Sequence, residues 1–130
     1  MIVMVRLSLL SHMKMKKMSG RPTRWYSNKQ EKQVAKAVGG KQVPNSGATA
    51  FNKGDVTTEQ FLIECKTATK ELKSFSIKRK WLEKNEEERF AMNKEYSALA
   101  FDYGDGIQYY IIDESLFLEL VRLLKEENYE

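Results

Sequence analysis

The chain is poor in the residues that crosslink a protein or ligate zinc: among 130 residues there are one cysteine (Cys65), one histidine (His12) and two prolines. A single cysteine excludes an intramolecular disulfide bond, and one cysteine with one histidine cannot supply the four ligands of a structural zinc site. A metal ion in this protein would therefore be held by oxygen ligands, which favours magnesium or manganese. The single thiol suits a reducing compartment, so we expect a cytoplasmic protein.

Long hydrophobic runs are also missing. The apolar stretch near the start, residues 2–10, is too short to span a membrane, and lysines follow it rather than precede it, unlike the order in a signal peptide. It could be an extra strand, a dimer arm or an extension from an upstream start codon, of which we favour a dispensable extension. We expect residues 1–27 to form a basic N-terminal arm or extension and residues 28–130 to form one folded domain.

Positive charge is in moderate excess. Basic residues outnumber acidic ones by 22 to 18, which gives a net charge of +4. Such an excess suits a polyanionic partner such as DNA, although many basic proteins bind no polyanion. The charge therefore favours a nucleic-acid partner without identifying one.

Hydrophobic spacing and turn residues predict an α/β order of elements. A first helix should begin at Ser27 or Asn28 and end at Gly39, and a last helix should be capped by Asp113 or Ser115. The predicted strands are 41–43, 55–58, 61–66, 96–101 and 108–112, and a charged helix covers 74–93 with Ile77, Trp81, Leu82 and Phe90 as candidate core contacts. This order predicts a central β-sheet of about five strands flanked by α-helices.

The strand at 61–66 carries its charged residues on one side. Because side chains alternate between the faces of a strand, Leu62, Glu64 and Lys66 share one face. The other face, with Phe61, Ile63 and Cys65, is apolar and should be buried. Glu64 and Lys66 therefore lie side by side at the rim of a core, a pattern that is commonly only a solvated ion pair.

Asp55 changes that interpretation. A hairpin that turns near Thr58 would bring Asp55 level with Glu64 or Lys66, so that two carboxylates and an ammonium face one point. Converging carboxylates are costly unless a cation neutralises them. A hard divalent ion, with the backbone carbonyl of Cys65 as a further ligand, would meet that need, and Lys66 could orient water or offset charge on a phosphate. The combination favours metal-assisted hydrolysis of phosphodiester bonds.

The run Asp55 … Glu64-x-Lys66 resembles the signature of the PD-(D/E)XK, or restriction-endonuclease-like, nucleases. The wider pattern, from Gln30-Glu31 through Ser46-Gly47 to Glu64-Cys65-Lys66, resembles small Holliday junction resolvases of the archaeal and phage type. The resemblance implies a restriction-endonuclease-like core with a central mixed β-sheet and a DNA endonuclease that requires Mg²⁺ or Mn²⁺. It also implies a branched or four-way DNA substrate and, because a junction has two-fold symmetry, a homodimer. A phage enzyme of this type would act in the cytoplasm of its bacterial host.

The same resemblance assigns further site residues. It implies that Glu31 on the first helix completes the catalytic and metal-binding set of Asp55, Glu64 and Lys66, although an acid there also suits the helix dipole. Ser46 corresponds to a position near the scissile phosphate and is otherwise a turn hydroxyl. Lys53 is a candidate phosphate contact or a solvated lysine.

Two basic and aromatic segments are further candidates for DNA contact. Arg24 lies in a cluster with Trp25, which is otherwise a plain linker, and Lys78 lies near Trp81, which could stack on a base or lie in the core. The acidic run 86–88 should point away from DNA. A nicking or repair nuclease acting on duplex or flapped DNA, and an inactive nucleic-acid-binding module with the same fold, are the alternative functions.

Overall fold

The computed structural model describes residues 21–43 and 55–128, together with the backbone of residues 2–3. Two predicted DNA contacts, Ser46 and Lys53, lie outside the described residues, as do His12 and most of the basic arm.

Three helices occur in this part of the chain: α1 (Thr23–Val38), α2 (Arg79–Ala91) and α3 (Glu114–Asn128). α1 begins four residues before the predicted Ser27, directly after Pro22, whose φ of −58° suits a helix start. The expected boundary between residues 27 and 28 therefore falls inside α1, and Tyr26 on its first turns is already buried. The C-terminal prediction is confirmed, because α1 ends at Gly39 with a left-handed φ of 68°.

Within the described residues, six strands form one mixed sheet in the order β1-β6-β5-β4-β3-β2. β4 and β5 run parallel, and the other neighbouring strands run antiparallel. The strands are β1 (Ile2–Val3), β2 (Lys41–Gln42), β3 (Asp55–Thr57), β4 (Phe61–Lys66), β5 (Tyr96–Phe101) and β6 (Tyr109–Ile111). The predicted α/β class with a central mixed sheet and flanking helices is confirmed. Residues 2–3 form the extra strand that was one of three alternatives for the N-terminal segment, paired with β6.

The helices cover the two faces of the sheet. α1 and α3 contribute Val34 and Leu116 to one core cluster, and side chains near Trp81 at the start of α2 pack against another. Around the first lie Val56, Ile63, Cys65, Ala98, Ala100 and Ile112, and the second is formed by Leu99, Phe101, Ile107, Tyr109 and Ile111. The alternation along β4 and β5 decides which side chain joins which cluster. α2 lies in the connection between parallel β4 and β5, which places it over that pair of strands.

The expected core contacts of the charged helix are half correct. Ile77 and Trp81 pack against the second cluster, but Leu82 is 37% exposed and Phe90 is 79% exposed. α2 starts at Arg79 rather than at 74, and it presents the positions 81, 85 and 88 to the sheet. Because those positions are spaced four and three residues apart, Leu82 and Phe90 fall outside that face.

Candidate functional site

A β-hairpin positions the two central acids. Asp55 in β3 and Glu64 in β4 are direct partners in the antiparallel register, which is one of the two pairings that the sequence left open. The hydroxyl of Thr58 accepts hydrogen bonds from the backbone N–H groups of Gln60 (3.2 Å) and Phe61 (2.9 Å), and so fixes the turn. Directly opposed residues point to the same face of a sheet, so the two carboxylates lie side by side.

Both acids are buried and incompletely paired. Asp55 is 1% exposed and Glu64 is 7% exposed. Asp55 Oδ2 and Glu64 Oε2 have no hydrogen-bond partner among the described residues. A buried carboxylate oxygen without a partner is costly, and so these two oxygens are suited to binding a cation or a proton.

Lys66 forms an ion pair with Glu64. Its Nζ lies 3.3 Å from Glu64 Oε1, and its side chain is 31% exposed. The same Nζ lies 4.6 Å from the ring centroid of Trp81, and Lys78 Nζ lies 5.6 Å from that centroid. The structure therefore brings Asp55, Glu64 and Lys66 together as predicted, with Lys78 close by.

Gln30 of α1 fixes the end of β4 from the opposite side. Its amide Nε2 lies 2.8 Å from the backbone oxygen of Lys66 and 3.2 Å from that of Ala100, to which it donates. It also lies 2.9 Å from the side-chain oxygen of Gln108. Gln30 is thus a buried residue that joins α1 to β4 at Lys66 and to β5 at Ala100. The sequence marked it only as the neighbour of Glu31.

Glu88 is an acid that the sequence interpretation missed. The run 86–88 was expected to point away from DNA, as a solvated stretch of helix would, but Glu88 is 7% exposed and lies on the face of α2 that packs against the sheet. After burial, its charge is the largest effect that raises the pKa of Asp55, and Lys84 Nζ lies 3.8 Å from its Oε1. The spacing of positions 81, 85 and 88 on one helix face was the available signal.

The other two acids of that run, Glu86 and Glu87, are exposed on α2. Glu86 is exposed and accepts a hydrogen bond from Arg89 Nε at 2.7 Å, and it also accepts one from Ser97 Oγ at 2.7 Å. Glu87 is exposed. Only the third residue of the run turns inward.

Two of the buried acids, Asp55 and Glu88, have raised pKa values. Burial, followed by the charges of Glu88 and Glu64, raises the pKa of Asp55 from 3.8 to about 8, and Lys84 opposes the shift. Burial also raises the pKa of Glu88, again against the effect of Lys84. The cluster therefore favours added positive charge near neutral pH.

Glu31 is not brought to this cluster. It is 2% exposed on α1, and Gln42 Nε2 donates to its Oε1 at 3.3 Å. Gln42 pairs with Val56 in the ladder and shares its face, which is opposite to the face of Asp55. Burial raises the pKa of Glu31, while the hydrogen bond from Gln42 and the charge of Arg24 lower it. Its position in the structure is that of a buried acid across the sheet from the other three.

Cys65 and Arg24 complete the predicted set. Cys65 is buried in the first core cluster, where burial raises the pKa of its thiol, so the thiol packs as predicted. Its backbone lies in the β4–β5 ladder opposite Ala100. Arg24 is exposed on the first turn of α1.

Within residues 21–43 and 55–128, no three Asp, Glu, His or Cys side chains already converge as a group that could hold a metal ion.

Comparison with protein-family models, with curated proteins and with solved structures finds no match to this chain. None of the helices in the described part of the chain is both long and apolar enough to cross a membrane.

Proposed function

We propose that this chain is a metal-dependent DNA endonuclease of the PD-(D/E)XK type, which hydrolyses phosphodiester bonds at Asp55, Glu64 and Lys66. The observation that carries the proposal is the direct pairing of Asp55 with Glu64, with Lys66 Nζ 3.3 Å from the glutamate. Two buried acids and one lysine in this arrangement are costly to fold and have no evident structural need.

The residues fit a hard divalent cation. Asp55 Oδ2 and Glu64 Oε2 are buried oxygens that lack a partner among the described residues, and oxygen is the donor that Mg²⁺ and Mn²⁺ prefer. One or two carboxylates with water are a sufficient protein contribution for Mg²⁺. Such an ion supplies a water of lowered pKa and shields the phosphate charge. Cys65 would add its backbone carbonyl as a further ligand.

Lys66 performs a separate task. Its side chain is one-third exposed, so the ammonium can reach a phosphate oxygen from the rim while it stays near Glu64. There it offsets the negative charge that develops in the transition state and orients the attacking water. Lys78 and Arg24 are exposed basic residues suited to phosphates further along the DNA, and Ser46 and Lys53 remain predicted contacts.

The choice of a four-way junction and of a homodimer rests on the sequence resemblance alone. The net charge of +4 supports a nucleic-acid substrate of any shape. Glu31 belongs to the catalytic set by the same resemblance alone, since it lies across the sheet from Asp55 and Glu64.

Cleavage of four DNA substrates tests the proposal. A four-way junction, a flapped duplex, a linear duplex and a single strand are incubated with Mg²⁺ or Mn²⁺ and the wild-type protein. Preference for the junction supports a resolvase, and equal cutting of junction and duplex supports a nicking or repair nuclease. Absence of cutting with all four substrates contradicts the proposal and favours an inactive nucleic-acid-binding module.

Matched variants test the site. Asp55→Asn, Glu64→Gln and Lys66→Ala should each reduce cleavage by at least about 100-fold, the scale of one catalytic group. Glu87→Gln and Lys80→Ala, at exposed positions of α2, should cleave like the wild type. Wild-type activity in Lys66→Ala would show that the assignment of the site is wrong.

A further inference from the structure

Two lysines meet on the ring of Trp81. Lys66 Nζ lies 4.6 Å and Lys78 Nζ 5.6 Å from its centroid, both within the range of a cation–π contact. The indole is itself held from behind, since it packs against the second core cluster and lies 6.3 Å from the ring of Phe75. The core therefore holds the ring in place, and the flexible side chains of the two lysines contact it.

The ammonium of Lys66 needs a second contact if it is to stay in one place. It is the last residue of β4, and its side chain is long, flexible and one-third exposed. Glu64 alone could hold the ammonium only as an ion pair at the rim, which is a weak restraint in water. A ring on another side of the ammonium restricts it to one place without adding a negative charge that would compete with a phosphate.

The same contact argues against a role for Trp81 in stacking on a base. Base stacking needs an accessible ring face, whereas this ring is half-buried against the core and carries two ammonium groups. The amino groups are the parts that remain available to a nucleic acid. Trp81 therefore serves to contact the ammonium groups of Lys66 and Lys78 rather than to stack on a base.

We infer that Trp81 is a positioning residue that holds Lys66 and Lys78 beside the Asp55–Glu64 pair, so that two ammonium groups meet the phosphodiester backbone. The functional part of this inference rests on the proposed nuclease activity, whereas the contact itself does not. Trp25 offers a matched control, because it is the other tryptophan and also carries two cations, Arg21 at 4.5 Å and Lys29 at 5.3 Å, but lies on α1.

Nuclear magnetic resonance tests the contact without any activity. The ε-methylene signals of Lys66, assigned by their loss in Lys66→Arg, should be shifted upfield by the indole ring current in the wild type. The shift should disappear in Trp81→Leu, persist in part in Trp81→Phe, and be unaffected by Trp25→Leu. Unshifted Lys66 signals in the wild type would overturn the inference.

Kinetics then test the positioning role. Trp81→Leu should lower kcat about three- to tenfold with KM within about twofold, as expected for the loss of one cation–π contact to the acting lysine. Trp81→Phe should recover much of that loss, and Glu87→Gln, at an exposed position of α2 outside the site, should leave kcat unchanged. A rise in KM at constant kcat would mean that the ring binds DNA directly and would overturn the inference. If the wild type cleaves no substrate, the proposed function fails, and the resonance shifts alone decide whether Trp81 holds Lys66.

Discussion

Replacement of Asp55 by asparagine should make the protein's stability less sensitive to pH. The carboxyl is 1% exposed, and burial with the charges of Glu88 and Glu64 raises its pKa from 3.8 to about 8. Between pH 5 and pH 7 the folded protein keeps this proton, whereas the unfolded chain has lost it. The free energy of unfolding therefore falls as the pH rises, by up to about 1.4 kcal/mol per pH unit. Between pH 5 and pH 7, Asp55 alone therefore lowers the free energy of unfolding of the wild type by about 3 kcal/mol.

Denaturant titrations at pH 5 and pH 7 without divalent ions measure this effect. Asp55→Asn should lose about 3 kcal/mol less than the wild type between the two pH values. Glu87→Gln, an exposed acid of α2, should lose as much as the wild type. If the free energy of unfolding changed with pH equally in the wild type and in Asp55→Asn, the raised pKa of the buried Asp55 would be refuted.

Magnesium extends the same experiment. If the cation binds only the folded protein, Mg²⁺ at ten times its Kd should raise the wild-type free energy of unfolding at pH 7 by about 1.4 kcal/mol. Asp55→Asn should show a smaller rise, because it lacks one of the two buried carboxylates. An equal rise in both proteins would mean that magnesium binds elsewhere.

Two further predictions concern single positions. Glu88→Gln should lower the pKa of Asp55, because after burial the charge of Glu88 has the largest effect on that pKa. The ¹³Cγ titration of Asp55 measures the change, and an unchanged midpoint would mean that the two acids do not interact. Gly104→Ala should destabilise the fold by about 1–3 kcal/mol, because the added Cβ would collide with the backbone carbonyl of Lys70 at a φ of 91°. Gly106→Ala, at a φ of 83° but in open space, should destabilise the fold less, and denaturant titration of both variants measures the difference.

Much of the candidate site follows from local rules. The alternation of side chains along β4 puts Glu64 and Lys66 on one face and Cys65 on the other, whatever surrounds the strand. The short connection around Thr58 can only close as a hairpin, so Asp55 falls opposite Glu64. The cap of α3 is equally local, since the side chain of Asp113 accepts the N–H of the residue three positions later at 2.8 Å.

The sequence by itself thus determined the order of elements from α1 to α3, the two faces of β4 and the hairpin that brings Asp55 level with the charged end of β4, because each depends on residues that are close in the chain. Only the tertiary structure decided which other groups meet that pair. α2, which spans the parallel connection between β4 and β5, turns Glu88 and Trp81 toward the site, whereas α1 lies on the opposite face and carries Glu31 away from it. Those contacts depend on which face of the sheet each helix covers, and this is decided by the packing of distant residues rather than by local spacing.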